Sequence, residues 1–77
     1  MRILLAEDEE DLNRIITKKL ISQGYSVDSC LDGEEAIDSL SLVDYDAVIL
    51  DIMMPKADGF TVLRHLRGAG KTTPVLF

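Results

Sequence analysis

Three carboxylates stand where short apolar runs end, and side chains of this type can bind a hard cation or accept a phosphoryl group. Glu7 and Asp8 follow Ile3-Leu4-Leu5-Ala6, and Asp51 follows Ala47-Val48-Ile49-Leu50. Carboxylates that converge on one crevice repel each other unless a cation or protons compensate. The donor set is oxygen-only, which suits Mg2+, Mn2+ or Ca2+ rather than zinc. Mg2+ keeps several waters and favours sites shared with phosphate oxygens, so the set points to phosphoryl chemistry, where protein groups chiefly position and neutralise charge. A carboxylate can itself be the nucleophile, forming an acyl phosphate. Asp51 is the better candidate because it follows the most apolar run, whose backbone should be rigid. Glu7 and Asp8 would then hold the metal. The competing reading is that all three are solvated acids at strand ends. The single histidine, His65, lies on a predicted helix away from them, which argues against a His-based metal site.

The elements that must position these acids read as alternating strands and helices. Arg2–Ala6 is apolar without clean alternation, as suits a strand buried on both faces of a parallel sheet. Asp11–Gln23 has helical periodicity, with Leu12, Ile15, Ile16 and Leu20 on one face and Arg14, Lys18 and Lys19 toward water. Gly24 supplies the left-handed residue that ends many helices. Tyr25–Cys30 is a more polar strand that suits a sheet edge, with Tyr25 and Val27 on one face. Asp32-Gly33 marks a turn into a helix over Glu34–Leu42 with Ala36, Ile37 and Leu40 inward, and Asp44-Tyr45-Asp46 breaks that helix. Ala47–Ile52 is the central strand, and Pro55 and Gly59 punctuate a loop over Met53–Gly59. Phe60–Arg67 returns to helical spacing through Phe60, Leu63 and Leu66. Pro74–Phe77 reads as a fourth strand, since Pro is tolerated at a strand's first residue.

The order βαβαβαβ, with helices able to cross between parallel strands, predicts a doubly wound α/β fold. In such sheets ligands bind outside the carboxyl ends of the strands, which is where both acidic groups lie. That coincidence is the main reason to read them as one site.

Composition narrows the function classes. At 77 residues the chain is one domain at most, near the lower limit for a self-sufficient core. Its 47% hydrophobic and 29% charged residues are those of a globular protein. No apolar run approaches the ~18 residues of a membrane span, and none resembles a signal peptide, so a cytoplasmic location and no membrane partner are expected. The lone Cys30 has no partner within the chain for a disulfide and reads as a small strand residue. A net charge of −6, with five consecutive acids from Glu7 to Asp11, disfavours direct nucleic-acid binding.

Taken together, Glu7-Asp8 after the first strand, Asp51 after the third, and Met54-Pro55-Lys56-Ala57-Asp58-Gly59 beyond it resemble the receiver domain of two-component response regulators. That resemblance implies a flavodoxin-like fold, whose full strand order is 2-1-3-4-5. It covers the whole chain. It implies that Asp51 takes a phosphoryl group from the phosphohistidine of a sensor histidine kinase. It implies further that Glu7 and Asp8 position Mg2+, with the backbone carbonyl of Met53 as a remaining protein ligand. Pro55 and Gly59 would shape the loop, and Asp58 would serve that loop or cap the next helix. The stretches Gln23–Asp28 and Tyr45–Asp51 are most similar to winged-helix transcriptional regulators. In such proteins DNA binding belongs to a further domain, and none is expected here.

Residues 1–77 thus read as the amino-terminal part of a receiver, with strand order 2-1-3-4 and the fifth strand and last helices missing. The family's switch Ser or Thr and phosphate-binding Lys would lie beyond Phe77, and neither Lys56 nor Lys71 occupies that Lys position. Impaired switching is the expected consequence. The fourth strand would become an exposed apolar edge, so self-association is expected. Two other readings remain. One is an assembly-only fragment whose signalling is lost. The other is a small Mg-dependent phosphohydrolase using an aspartyl phosphate, which the presence of Met53 where such enzymes want a second acid disfavours. The leading reading is a phosphoacceptor signalling domain, not an enzyme.

Overall fold

Residues Arg2–Ala6 form β1, and every one of its last four residues is buried, as the unbroken apolar run requires. The computed structural model describes all 77 residues. After β1 come α1 (Glu10–Ser22), β2 (Ser26–Cys30), α2 (Gly33–Leu42), β3 (Ala47–Leu50), α3 (Gly59–Gly68) and β4 (Val75–Leu76). The four strands make one parallel sheet in the order β2-β1-β3-β4, the doubly wound arrangement expected. β1 is central: Leu4 lies opposite Asp28 of β2 on one side and Val48 of β3 on the other. A strand paired on both edges and covered on both faces has no place for polar side chains, which explains its composition.

Alternation along β1 and β3 divides the core between two faces. Leu4, Ala6, Val48 and Leu50 join Ala36 of α2 and Val62 and Leu66 of α3 in one cluster, with Ile37, Leu40, Val43 and Val75 at its margin. Leu5 and Ile49 lie on the other face, beside Ile16 of α1. Cys30 is buried at the end of β2 with its Sγ 3.7 Å from Ser39 Oγ, a strand residue as expected.

Several details depart from the sequence reading. In α1 the buried residue is Asn13, and Leu12 and Ile15 are 42% and 62% exposed. The inward face therefore runs through Asn13, Ile16, Thr17 and Leu20. The cause is polar. The Asn13 amide donates to the carbonyls of Glu7 (3.0 Å) and Cys30 (2.9 Å), turning this face toward the sheet. In α3 Val62 and Leu66 are buried, whereas Phe60 faces outward and packs on Phe77 with ring centroids 5.3 Å apart. β3 ends at Leu50, two residues earlier than expected, so Asp51 and Ile52 leave the ladder. β4 is two residues long instead of four.

Tyr45, assigned to a helix-breaking segment, is a core residue. Its hydroxyl donates to Asp28 Oδ2 at 2.6 Å, and the Arg2 guanidinium lies over its ring while also donating to Asp28. This brace ties β1, β2 and the α2–β3 connection at the end of the sheet away from the acids. Gly24 does take a left-handed conformation after α1, with φ 93°.

Candidate functional site

Each of the three acids is the first or second residue beyond a strand, and backbone hydrogen bonds carry the ladder just far enough to place them. The Glu7 N–H donates to the Cys30 carbonyl (3.1 Å) and the Asp51 N–H to the Ala6 carbonyl (2.9 Å). Those two bonds set Asp51 beside the residue that precedes Glu7. Asn13 fixes the turn from within α1 by holding the Glu7 carbonyl. The Glu7 carboxylate accepts the Glu9 N–H (3.0 Å), and Glu9 in turn caps α1 by accepting from Asp11 and Leu12.

The consequence is a cluster in which carboxylate oxygens of Glu7, Asp8 and Asp51 all lie within 4.8 Å of one another. Glu7 and Asp51 are half-buried and Asp8 is exposed. Burial raises the Glu7 carboxyl above its usual value, and the neighbouring Asp51 charge adds to the rise against the Glu9 N–H, which opposes it. Three acids at this spacing, with no imidazole or thiol among them, form an oxygen-only donor set that fits Mg2+.

The loop after β3 completes one wall. Met53 is 80% exposed and, with Asp8, Met54 and Phe60, borders a shallow depression beside the acids. Asp58 caps α3, its Oδ1 accepting the Thr61 N–H at 2.8 Å, which is one of the two roles expected of it. The donated N–H bonds hold the Asp58 carboxyl below its usual value. Gly59 is required for space: a Cβ there would stand 2.4 Å from the Asp51 carbonyl oxygen. α3 can therefore begin against the backbone of Asp51 only with glycine at this position.

The structure brings Glu7, Asp8 and Asp51 together and leaves the other singled-out residues elsewhere. His65 borders a depression between the C-terminal ends of α2 and α3, away from the acids. Lys56 pairs with Asp32 (3.5 Å) and Lys71 with Asp44, so neither lysine serves the cluster. Asn13 and Glu9 were missed by sequence reasoning. The available signal was an amide within the first turns of an otherwise apolar-faced helix, six residues after Glu7.

The family model for the response regulator receiver domain matches residues 3–77. The transcriptional regulatory protein DltR of Streptococcus agalactiae is 43% identical over 77 residues, spanning all of this chain and 34% of its own length. The transcriptional regulatory protein TcrA of Mycobacterium tuberculosis is 42% identical over 76 residues, 99% of this chain and 30% of its own. This chain thus spans about a third of the length of these relatives. Among solved structures, the response regulator TrrA of Thermotoga maritima in complex with Mg2+-BeF superposes with a TM-score of 0.90 at 35% identity, covering 96% of this chain and 64% of that one. TrrA bound to the histidine kinase ThkA gives a TM-score of 0.87 with the same identity and coverage.

Proposed function

This chain belongs to the response regulator receiver domain family, and from that membership we propose that it is the phosphoacceptor module of a two-component transcriptional regulator. Asp51 accepts a phosphoryl group from the phosphohistidine of a sensor histidine kinase. Glu7, Asp8, Asp51 and the backbone carbonyl of Met53 hold Mg2+. The observation that carries the reading is the approach of the three carboxylates to within 4.8 Å. Residues 44 positions apart in sequence meet there, in a donor set whose mutual repulsion a hard cation relieves.

In the transfer, a carboxylate oxygen of Asp51 attacks phosphorus as the P–N bond to the kinase imidazole breaks. The electron pair leaves with the imidazole nitrogen, and Asp51 becomes an acyl phosphate. Mg2+, when bound, offsets the negative charge of the acids and of the phosphoryl oxygens. Asn13 holds the turn that bears Glu7, and Gly59 lets α3 abut the backbone of Asp51, so the nucleophile sits on two anchored segments. The domain acts as a signalling module in the cytoplasm, not as an enzyme in its own right. Its relatives are named as transcriptional regulators about three times its length, and DNA binding belongs to the remainder of such a protein. A net charge of −6 leaves this part without the basic character DNA contact needs. No helix is long and apolar enough to cross a membrane.

A second reading, self-association, has its own observation. β4 pairs on one side only, and Leu76 and Phe77 are both more than half exposed. An unpaired apolar edge is a template for another strand. Light scattering decides it, and a monodisperse monomer would end it. An assembly-only role would leave the acids unable to bind Mg2+, which metal titration detects.

The test of the main reading is intact mass after incubation with Mg2+ and a small acyl-phosphate donor, beside Asp51→Asn. We expect one added phosphoryl group on the wild type and none on the variant. An adduct retained in Asp51→Asn would remove Asp51 from its role.

A further inference from the structure

We infer that the first turn of α2, through Asp32 and Gly33, is a positioning device for the metal-ligand loop, and that Lys56 is the residue it grips. The inference rests on the function proposed above, because the loop matters through the Met53 carbonyl.

Apart from the Gly59 N–H bond to the Ile52 carbonyl (2.8 Å) that closes its base, the loop from Ile52 to Asp58 has little to hold it. Ile52, Met53, Pro55, Lys56 and Asp58 are exposed, and only Met54 reaches the core cluster. Within it lies the chain's single strained backbone: Lys56 has φ 70°, the only non-glycine residue with positive φ. The Ala57 N–H donates to the Pro55 carbonyl at 2.8 Å, closing a three-residue γ-turn around Lys56. That turn is rare for an L-residue because its central φ is disfavoured. Such conformations persist where surrounding contacts over-determine them.

The contacts come from one place. The Gly33 N–H donates to the same Pro55 carbonyl at 3.4 Å. The Lys56 ammonium lies 3.5 Å from Asp32 Oδ2. The Ala57 carbonyl oxygen occupies the space of a Gly33 side chain, 1.9 Å from where its Cβ would stand. Both carboxylate oxygens of Asp32 are engaged: Oδ1 caps α2 by accepting the Glu35 N–H at 2.8 Å, and Oδ2 faces Lys56. Nothing at the acids themselves calls for Gly33 or Lys56. Their arrangement makes sense as a latch that closes the γ-turn and so sets the path of the backbone through Met53, two residues upstream of Pro55.

The experiment measures Mg2+ affinity by calorimetry, with amide resonances of Met53 and Met54 recorded in metal-free protein and thermal melts for each variant. Gly33→Ala drives a methyl group into Ala57 and is expected to weaken Mg2+ binding about tenfold, in line with outer-shell substitutions at metal sites. Asp32→Ser keeps a capping hydroxyl but releases Lys56. It is expected to shift the Met53 amide and weaken Mg2+ binding in the same direction, in a protein that still melts cooperatively. Glu34→Gln removes a charge from the same turn without touching the loop, and controls for electrostatics alone. If Gly33→Ala does not fold, Asp32→Ser decides. Wild-type affinity in a folded Gly33→Ala or in Asp32→Ser, or equal weakening by Asp32→Ser and Glu34→Gln, overturns the latch. A wild type that binds no Mg2+ overturns the function itself and the latch with it.

Discussion

Replacing Asp51 by Asn should stabilise the metal-free protein while removing the proposed phosphoacceptor. The acids lie within 4.8 Å of one another, and Asn is nearly isosteric with Asp, so the substitution removes charge repulsion and little else. Two unit charges at this separation interact by about 0.9 kcal/mol in bulk water and about 3.5 kcal/mol at an effective dielectric of about 20. Asp8 is exposed, which places its pair near the first limit. Glu7 is half-buried, and its carboxyl is held above its usual value first by burial and, to a smaller extent, by the Asp51 charge. Discounting for solvent and for partial protonation, we expect a gain of about 1–2 kcal/mol at low ionic strength. For a domain of this size that corresponds to a rise in Tm of roughly 5–15 °C. The assay is a far-UV circular dichroism melt in chelator, repeated in molar salt and in Mg2+. Salt should shrink the gain because the Debye length falls to about 3 Å at 1 M. Mg2+ should raise the wild type more than the variant, closing the gap from the other side. An Asp51→Asn protein that melts at or below wild type in chelator would refute the reasoning. So would a gain undiminished by salt, since its origin would then not be charge repulsion.

Three other outcomes are expected. Asn13→Ala loses donors to the Glu7 and Cys30 carbonyls; because Cys30 keeps the Glu7 N–H, the loss should be about 1–2 kcal/mol by chemical denaturation, with weaker Mg2+ binding. Tyr45 is pushed up to about 12, first by burial and then by its bond to Asp28. With a folded value above the unfolded one near 10, its stabilisation is complete below pH 10 and fades as pH rises toward 12. Tyrosinate absorbance in a Tyr25→Phe background should report that late ionisation. At the acid end, Asp28, Asp32 and Asp58 are all held below the usual 3.8, by the Tyr45 hydroxyl, the Glu35 N–H and the Thr61 N–H respectively. Their stabilisation is present above that value and lost as pH falls through the lower folded values, so Asp58→Ala should flatten the acid limb of a stability profile.

The parts legible in the sequence are those governed by local chemistry. The apolar run of β1, the left-handed Gly24 after α1, the Asp58 cap and the alternation of strand and helix all follow from neighbours within a few residues. The face of α1 was not legible. Leu12, Ile15, Ile16 and Leu20 satisfy helical periodicity, but so does the face through Asn13, Ile16, Thr17 and Leu20. The choice between them came from two carbonyls, one of them 17 residues distant. Tyr45 read as a turn residue because its partner, Asp28, sits on another strand.

By itself, the sequence determined which acids stand at strand ends, the order of the elements and the oxygen-only character of the donor set, because each is set by residue type and short-range spacing. Tertiary structure alone decided how closely Glu7 and Asp8 approach Asp51, that Asn13 turns inward, and that Gly33 and Gly59 leave room for the backbones of Ala57 and Asp51. These are contacts between segments distant in the chain. They exist only once β1 and β3 pair in register and the helices close on the sheet.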